Sequence, residues 1–319
     1  MEDAATLKLM VAARRQIATD IHRFDLVDAG GAALPAWRAG AHLSVSLPGG
    51  LTRRYSLCAD PGELGGYSIA VKREATGRGG SRALIDQVAV GDTLPCSTPR
   101  NDFALSGRPG ARLFIAGGIG ITPILSMILE TEAAGGPPWK LLYLTRSADH
   151  TAFGAKLASY GPRVTIHHDG GDPDRAFDLW PLLEQPKGRQ MLCCGPRGLM
   201  QAVRDMTGHW PTGSVLFEDF STGEAVAAAA DTPFRLRLAR SGAVLEVPAD
   251  ASILSVLREA GHAVPFSCES GTCGSCRTGL RGGTAQHRDL VLQPAEQASQ
   301  IMVCVSRAAP GCDELVLDL

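Results

Sequence analysis

Four cysteines limit this chain more than anything else in it. Cys268, Cys273 and Cys276 sit in the run Cys-Glu-Ser-Gly-Thr-Cys-Gly-Ser-Cys, and Cys304 follows well downstream. C-x4-C-x2-C with a remote fourth cysteine is the ligand spacing of a [2Fe–2S] cluster. The x4 and x2 gaps let one loop wrap a cluster and aim three sulfurs inward. Gly271 and Gly274 leave little side-chain bulk in that loop, so backbone N–H groups can approach the sulfurs. The rival reading is a structural zinc site with four thiolates. Such sites usually draw their ligands as two close pairs, whereas here three share one glycine-rich loop. A one-electron carrier is therefore expected within the chain, and the question becomes what feeds it and what it feeds.

The 319 residues are too many for one small domain, so two or three are expected. With 45% apolar residues, 20% charged residues and a net charge of −2, there is no basic excess to suit nucleic acid. The opening Met-Glu-Asp-Ala-Ala-Thr lacks the basic and apolar regions of a secretory signal. The uncharged stretch 113–129 is short for a membrane span and is broken by Gly117-Gly118, Gly120 and Thr122-Pro123. It reads better as a strand, a tight turn and a buried helix. Nine cysteines without a signal favour a reducing compartment, so a cytoplasmic protein is expected.

Residues 1–105 read as strands and turns, with runs at 7–12, 22–28, 42–47 and 67–72 separated by Pro and Gly clusters. An antiparallel β-barrel is the natural closure for such a series. After about residue 106 the pattern alternates. Strands are expected at 112–116, 140–145, 163–168 and 190–194. Helical stretches fall near 123–134, 153–160, 177–183 and 196–206, which spells a parallel α/β sheet. Residues 223–232 (Gly-Glu-Ala-Val-Ala-Ala-Ala-Ala-Asp-Thr) lack a large core side chain and read as a tether. Beyond it come a hairpin at 234–239 and 243–247, then a helix at 252–260 with Ser252 as N-cap. The cysteine loop follows, and strands at 301–305 and 314–317 close the domain.

Several motifs carry chemistry. Arg53-Arg-Tyr-Ser56 offers an aromatic ring, a hydroxyl and cations at a strand end, and Gly77-Arg-Gly-Gly-Ser81 offers exposed N–H donors before a short helix at 82–88. Together they suit a flavin: the ring stacks, the hydroxyl meets a ring nitrogen, and arginine and N–H groups meet phosphate. Either motif alone is a weak signal and reads more readily as an ordinary strand end or surface turn; the pair in this order is what points to a flavin. Phe114-Ile-Ala-Gly-Gly-Ile-Gly-Ile-Thr-Pro123 runs a strand into a glycine turn and a helix, where a dinucleotide can approach the backbone. A plain tight turn explains that spacing as well. Cys193-Cys194-Gly195-Pro196 ends the fourth strand of this region, with Cys193 expected in the core and Cys194 at the strand end, facing a cofactor. Cys58, Cys96 and Cys312 have no ligand spacing. His167 and His168 are neighbours on a strand, so they face opposite ways and cannot chelate one metal. Asp169 either bonds a ribose or caps a turn. No C-x-H…C-x-x-H pair is present, so the chain is not itself a Rieske protein.

In this order the motifs resemble the phthalate dioxygenase reductase family, vanillate demethylase reductases included, and the likeness runs over nearly the whole chain. Val203-Arg-Asp-Met-Thr-Gly-His-Trp-Pro211 and Ile301-Met-Val-Cys-Val-Ser306 look specific to the phthalate branch. The resemblance implies a multidomain protein: an FMN-binding antiparallel β-barrel (1–105), an NAD-binding α/β parallel-sheet domain (106–222), a linker (223–232) and an α+β plant-type ferredoxin domain (233–319). It implies that electrons pass from NADH through FMN and the [2Fe–2S] cluster of Cys268, Cys273, Cys276 and Cys304 to a separate Rieske aromatic-ring dioxygenase. By position, Tyr55 flanks the flavin ring and Ser56 approaches its N5. Arg53 or Arg54, with Gly79, Gly80 and Ser81, serves the flavin and its phosphate, and Lys72 and Arg73 fall in a further flavin-contacting strand. Gly117, Gly118, Thr122, Cys194 and Gly195 line the nicotinamide path, and Phe217 sits by the flavin. Ser56 and Cys194 are the residues expected nearest the chemistry. Phe266, two residues before the first ligand, and Gly311-Cys312 depart from the family pattern.

No nucleic acid or membrane partner is expected, and a monomer is. A reductase for an O-demethylase or another monooxygenase is the near alternative. A flavin and iron–sulfur redox sensor is the distant one, since a sensor needs an output module and every stretch here is already assigned. Arg146 and Ser147, after the second α/β strand, are placed to accept a 2′-phosphate and leave NADPH open.

Overall fold

A computed structural model describes residues 6–63, 65–75, 79–220, 231–266 and 268–319. Gly77 and Arg78 of the expected phosphate cradle, and residues 223–230 of the expected tether, lie outside the described residues. The chain divides into two compact units, Met1–Leu216 and Phe217–Leu319.

The first unit opens with β1 (Thr6–Ala18), β2 (Ile21–Asp28), β3 (His42–Leu47), β4 (Leu51–Ser56), β5 (Tyr67–Lys72), helix α1 (Gly80–Gln87) and β6 (Thr93–Ser97). The strands form one sheet in the order β4-β3-β6-β1-β2-β5. Just past β4 the chain meets β5, through the Leu57–Ile69 bridge and a Cys58 N–H donated to the Ser68 carbonyl at 2.9 Å, and so closes the expected barrel. Its interior alternates as a half-buried strand requires: Leu9 and Val11 from β1, Phe24 and Leu26 from β2, and Leu43 and Val45 from β3 all face inward. β1 is far longer than its apolar run. Its second half, Ala13–Ala18, is polar on one face but paired residue for residue with β2, apart from two register shifts.

The second half of this unit holds β7 (Arg112–Gly117), α2 (Ile121–Ala133), β8 (Trp139–Thr145), α3 (Gly154–Ala158), β9 (Val164–His168), α4 (Trp180–Leu183), β10 (Gln190–Cys194), α5 (Arg197–Met206) and β11 (Val215–Glu218). The sheet order is β11-β10-β7-β8-β9, with β10, β7, β8 and β9 parallel. The division between the two units falls within β11. α2 explains the uncharged stretch, for it is buried nearly all round, from Ile121 through Ile128. Cys58, Ala70 and Ile21 of the barrel share one core with Phe114 and Ile124. Glu130 of α2 adds a latch, taking Arg38 at 2.6 Å and the Ala39 N–H at 2.7 Å. The barrel and the parallel sheet are thus one packed body.

The second unit contains β12 (Phe234–Leu238), β13 (Val244–Val247), α6 (Ile253–Glu259), β14 (Arg277–Gly282), β15 (Ala285–Gln286), α7 (Pro294–Gln297), β16 (Gln300–Met302), β17 (Arg307–Ala308) and β18 (Glu314–Leu317). Five strands order as β13-β12-β18-β14-β16, and β15 pairs β17. β12 and β13 form the expected hairpin, and the Ser252 hydroxyl caps α6 by accepting the Ser255 N–H at 3.0 Å. One expectation is corrected in part. The run 301–305 stays extended only to Met302, and Cys304 lies in a turn. No helix of the described residues is long and apolar enough to cross a membrane.

Candidate redox sites

The cysteine loop spans the stretch between α6 and β14. Cys268 and Cys273 are half-buried, whereas Cys276 and Cys304 are buried. The Cys273 thiol donates to Cys268 and lowers the latter's pKa, and Cys304 does the same for Cys276. The four sulfurs thus gather as two pairs, and Cys276 also feels the charge of Cys268. Among the described residues no three His, Cys, Asp or Glu side chains converge on one point as a mononuclear metal requires. Two facing thiol pairs match a binuclear cluster, in which each iron takes two protein sulfurs. Backbone N–H groups already point at sulfur: Ser270 donates to Cys268 at 3.4 Å and Ser275 to Cys273 at 3.5 Å. Such bonds tune a cluster's potential. The glycines of the loop are needed sterically as well. A Cβ on Gly271, whose φ is +78°, would lie 2.7 Å from Val305 Cγ2 and 3.1 Å from Asp289 Cα. Phe266 is 41% exposed, and the Arg258 guanidinium lies 4.3 Å from its ring centre.

In the barrel, alternation on β4 puts Arg53 and Tyr55 on one face and Arg54 on the other. The Arg53 side chain lies over the start of α1, so close that a Cβ on Gly80 would be 2.6 Å from its Cγ and Nε. Arg53, Gly79, Gly80 and Tyr55 are thereby brought together. The Tyr55 hydroxyl is sealed from solvent yet has no hydrogen-bond partner among the described residues, and burial pushes the phenol up to about 12. An orphaned buried hydroxyl calls for a partner, and the polar edge of a flavin beside an arginine and a helix N-terminus would fit there. Ser56 is buried at the end of the same strand. Ser81 Oγ accepts the Glu74 N–H at 3.1 Å and keeps its own proton to donate. Lys72 and Arg73 are engaged elsewhere, Lys72 with Glu74 at 2.8 Å and Arg73 with Asp86 at 2.7 Å.

The other glycine turns meet at the carboxyl edge of the parallel sheet. From β7 the chain crosses to β8 on one side, and β10 lies on the other, so the strand order reverses between β7 and β10. A crevice at such a reversal is where open α/β sheets bind ligands. Gly117 and Gly195 face each other there: a Cβ on Gly195 would lie 3.0 Å from Gly117 Cα, and one on Gly120 would lie 2.2 Å from the Cys194 carbonyl oxygen. Close packing of the two turns thus accounts for three glycines. Gly118 differs: a Cβ there would meet nothing within 4 Å, and the residue is required by its φ of +53°. The Thr122 hydroxyl donates to the Ile119 carbonyl at 3.0 Å. Cys193 and Cys194 are both fully buried, Cys194 at the end of its strand. Cys194 shares its core with Ala116 and Ile121. Phe217 is buried on β11. His168 bonds Thr145 at 2.7 Å while His167 meets the Arg175 carbonyl at 2.8 Å, on opposite faces as expected. Asp169 caps a turn by accepting the Gly171 N–H at 2.7 Å.

Two features escaped the sequence. Asp231 is clamped by Arg288 and Arg307, and Asp289 is wholly buried. The only trace is the run His287-Arg-Asp-Leu290, an acid entering an apolar stretch, and nothing in it tells burial from exposure.

A thiol-pair loop on one unit and a barrel joined to a parallel sheet on the other define an iron–sulfur oxidoreductase. Residues 236–309 match the family model of the 2Fe-2S iron-sulfur cluster binding domain. The chain is 52% identical over 316 residues to phthalate dioxygenase reductase of Burkholderia cepacia, covering 98% of this chain and 97% of that one. It is 40% identical over 320 residues to vanillate O-demethylase oxidoreductase of a Pseudomonas strain, covering 98% and 100%. The solved structure of phthalate dioxygenase reductase, described as modular for electron transfer from pyridine nucleotides to [2Fe–2S], matches with a TM-score of 0.70 and 51% identity, over 99% of this chain and 98% of that one. This chain belongs to the phthalate dioxygenase reductase family. It is an iron–sulfur reductase of the kind that delivers electrons to oxygenase systems.

Proposed function

We propose that this chain takes hydride from NADH onto FMN and passes single electrons through its [2Fe–2S] cluster to a partner Rieske aromatic-ring dioxygenase. The observation that carries the reading is the joining, in one chain, of two facing thiol pairs to a barrel with an orphaned buried tyrosine hydroxyl. The chemistry FMN supplies when bound is the conversion of a two-electron donor into one-electron steps. The residues do the rest by position. Tyr55 flanks the ring and gives its hydroxyl to a flavin oxygen or nitrogen, and Ser56 holds the neighbouring ring edge. Arg53, rather than Arg54, meets the phosphate over α1 with the Gly79, Gly80 and Ser81 donors. Gly117, Gly118, Thr122 and Gly195 shape the nicotinamide path, and the buried Cys194 forms its floor. Lys72 and Arg73 act on the flavin only through the carboxylates they hold. In domain terms, an FMN-binding 1–105 and an NAD-binding 106–222 are joined by a linker at 223–232 to a ferredoxin at 233–319. The protein works as a cytoplasmic monomer.

Purified protein should carry about two irons and two labile sulfides per chain, with a flavin that runs as FMN on chromatography. Stoichiometric zinc without sulfide, or FAD in place of FMN, would overturn the corresponding part. Comparing kcat/KM for NADH and NADPH settles the nucleotide, because Arg146 and Ser147 follow β8 where a 2′-phosphate could reach them. The vanillate relative raises a second reading, in which the acceptor is an O-demethylase. Reconstitution with each type of oxygenase distinguishes the two.

A further inference from the structure

Asp289 has no exposed surface and belongs to no motif that the proposed function uses. One of its oxygens accepts two backbone N–H groups, from Val291 at 3.1 Å and Leu292 at 2.7 Å. The other takes the Ser306 hydroxyl at 3.4 Å and lies 3.8 Å from Nδ1 of His287. Ser306 in turn accepts the Arg288 N–H at 3.2 Å. The turn so held touches the cluster loop on two sides. The Leu290 N–H donates to the Gly271 carbonyl at 2.9 Å, and Asp289 Cα is the wall that leaves Gly271 no room for a side chain. Ser306 follows Cys304 by two positions, and Val305 between them forms the other wall of Gly271.

A buried carboxylate is costly unless its acceptors are filled. Here one oxygen is filled by the Ser306 hydroxyl, two positions past Cys304, and the other by the Val291 and Leu292 N–H groups, which fix the turn whose Leu290 N–H holds the Gly271 carbonyl of the cluster loop. We propose that Asp289 is a positioning residue for the cluster: its buried carboxylate ties the 289–292 turn, which holds Gly271 of the Cys268–Cys276 loop, to Ser306 beside Cys304, and it supplies a fixed negative charge against which the cluster is reduced. The inference rests on the iron–sulfur reading given above. Bracing and charge can be separated, because asparagine has the same shape. Its amide oxygen keeps the Val291 and Leu292 N–H groups, and its NH2 faces the Ser306 hydroxyl and His287 Nδ1, both able to accept. A fixed negative charge near a cluster opposes the added electron, so its removal favours the reduced form.

The experiment compares wild type, Asp289→Asn and Asp289→Ala as full-length protein. It measures iron and labile sulfide per chain, the visible circular dichroism of the cluster, and the cluster midpoint potential by spectroscopic titration. The alanine variant should lose most of its cluster. The asparagine variant should keep wild-type iron and sulfide, with a midpoint shifted to more positive potential. An asparagine variant with a wild-type midpoint overturns the inference, and so does an alanine variant with full cluster content. If the alanine variant is insoluble, the midpoint of the asparagine variant decides alone. Wild-type protein lacking iron and sulfide would overturn the proposed function and this inference together. A loaded wild type beside an unshifted asparagine variant overturns only the inference.

Discussion

At the residue scale, single atoms decide which glycines of the Gly117–Gly120 turn are tolerant. A Cβ on Gly120 would sit 2.2 Å from the Cys194 carbonyl oxygen and 2.5 Å from its carbon. Both are backbone atoms at the end of a central strand, so neither can swing aside. Gly120→Ala should lower stability by about 1–3 kcal/mol or more and depress NADH-dependent ferricyanide reduction. Gly198→Ala, on exposed α5 with nothing within 4 Å of its Cβ, should hold or raise the melting temperature. Thermal melts of the two variants provide the check, and equal effects would show that the turn yields. Thiols offer a second test. Burial pushes the thiol pKa of Cys58 and Cys96 up to about 12 and moves that of Cys193 in the same direction. The thiolate is the nucleophile, so raising the pKa removes it at neutral pH and restores it only as pH climbs toward that value. Iodoacetamide at pH 8 should leave all three unlabelled in native protein and label them after unfolding, as peptide mass mapping would record.

At the element scale, the strongest local device is the clamp on Asp231. The Arg288 guanidinium holds its carboxylate through two bonds, and Arg307 adds a contact at 3.6 Å. Arg307 also donates to the carbonyls of Pro248, at 2.8 Å, and Ala251. It thus ties the start of the second unit's first strand to the turn ahead of α6. All three side chains are mostly buried, so removing the acid strands two cations. Asp231→Ala should cost the second unit about 3–5 kcal/mol. Asp231→Asn should cost less, because it keeps one acceptor. Denaturant melts followed by cluster absorbance read this unit alone, and an unchanged midpoint for the alanine variant would mean the clamp contributes nothing net.

At the scale of the whole molecule, the two compact units each own a core. One is built on the barrel and the parallel sheet, the other on β12, β18 and α6. A chain ending near residue 227 should therefore stay folded and keep its flavin. It should reduce ferricyanide with NADH, since that dye takes electrons from flavin directly, and lose most transfer to an oxygenase. Cys304→Ser should show the same split while leaving the chain at full length. An insoluble or flavin-free truncated protein would show that the second unit supports the first. Full transfer to the oxygenase would break the proposed order of electron flow.

What the sequence determined by itself was everything written in local spacing. The cysteine pattern pointed to the iron–sulfur domain that the family model matches, and to four candidate ligands, since a loop that wraps a cluster must carry its thiols at fixed intervals. Period-two and period-3.6 runs drew the barrel, the alternating sheet and the Ser252-capped helix, because each is built from neighbours along the chain. Adjacency on one strand was enough to part His167 from His168. Tertiary structure alone decided the rest, where residues distant in sequence meet. Arg53 and Arg54 are indistinguishable as letters, and only the fold lays Arg53 over Gly80. Cys194 reads from its spacing as a strand end, and only the fold packs it into one core with Ile121 and Ile124 of α2. Asp231 finds its arginines, and Asp289 its burial, only when the segments around residues 231, 271, 289 and 306 come together. Burial and charge pairing are properties of such meetings, and no window of sequence contains both partners.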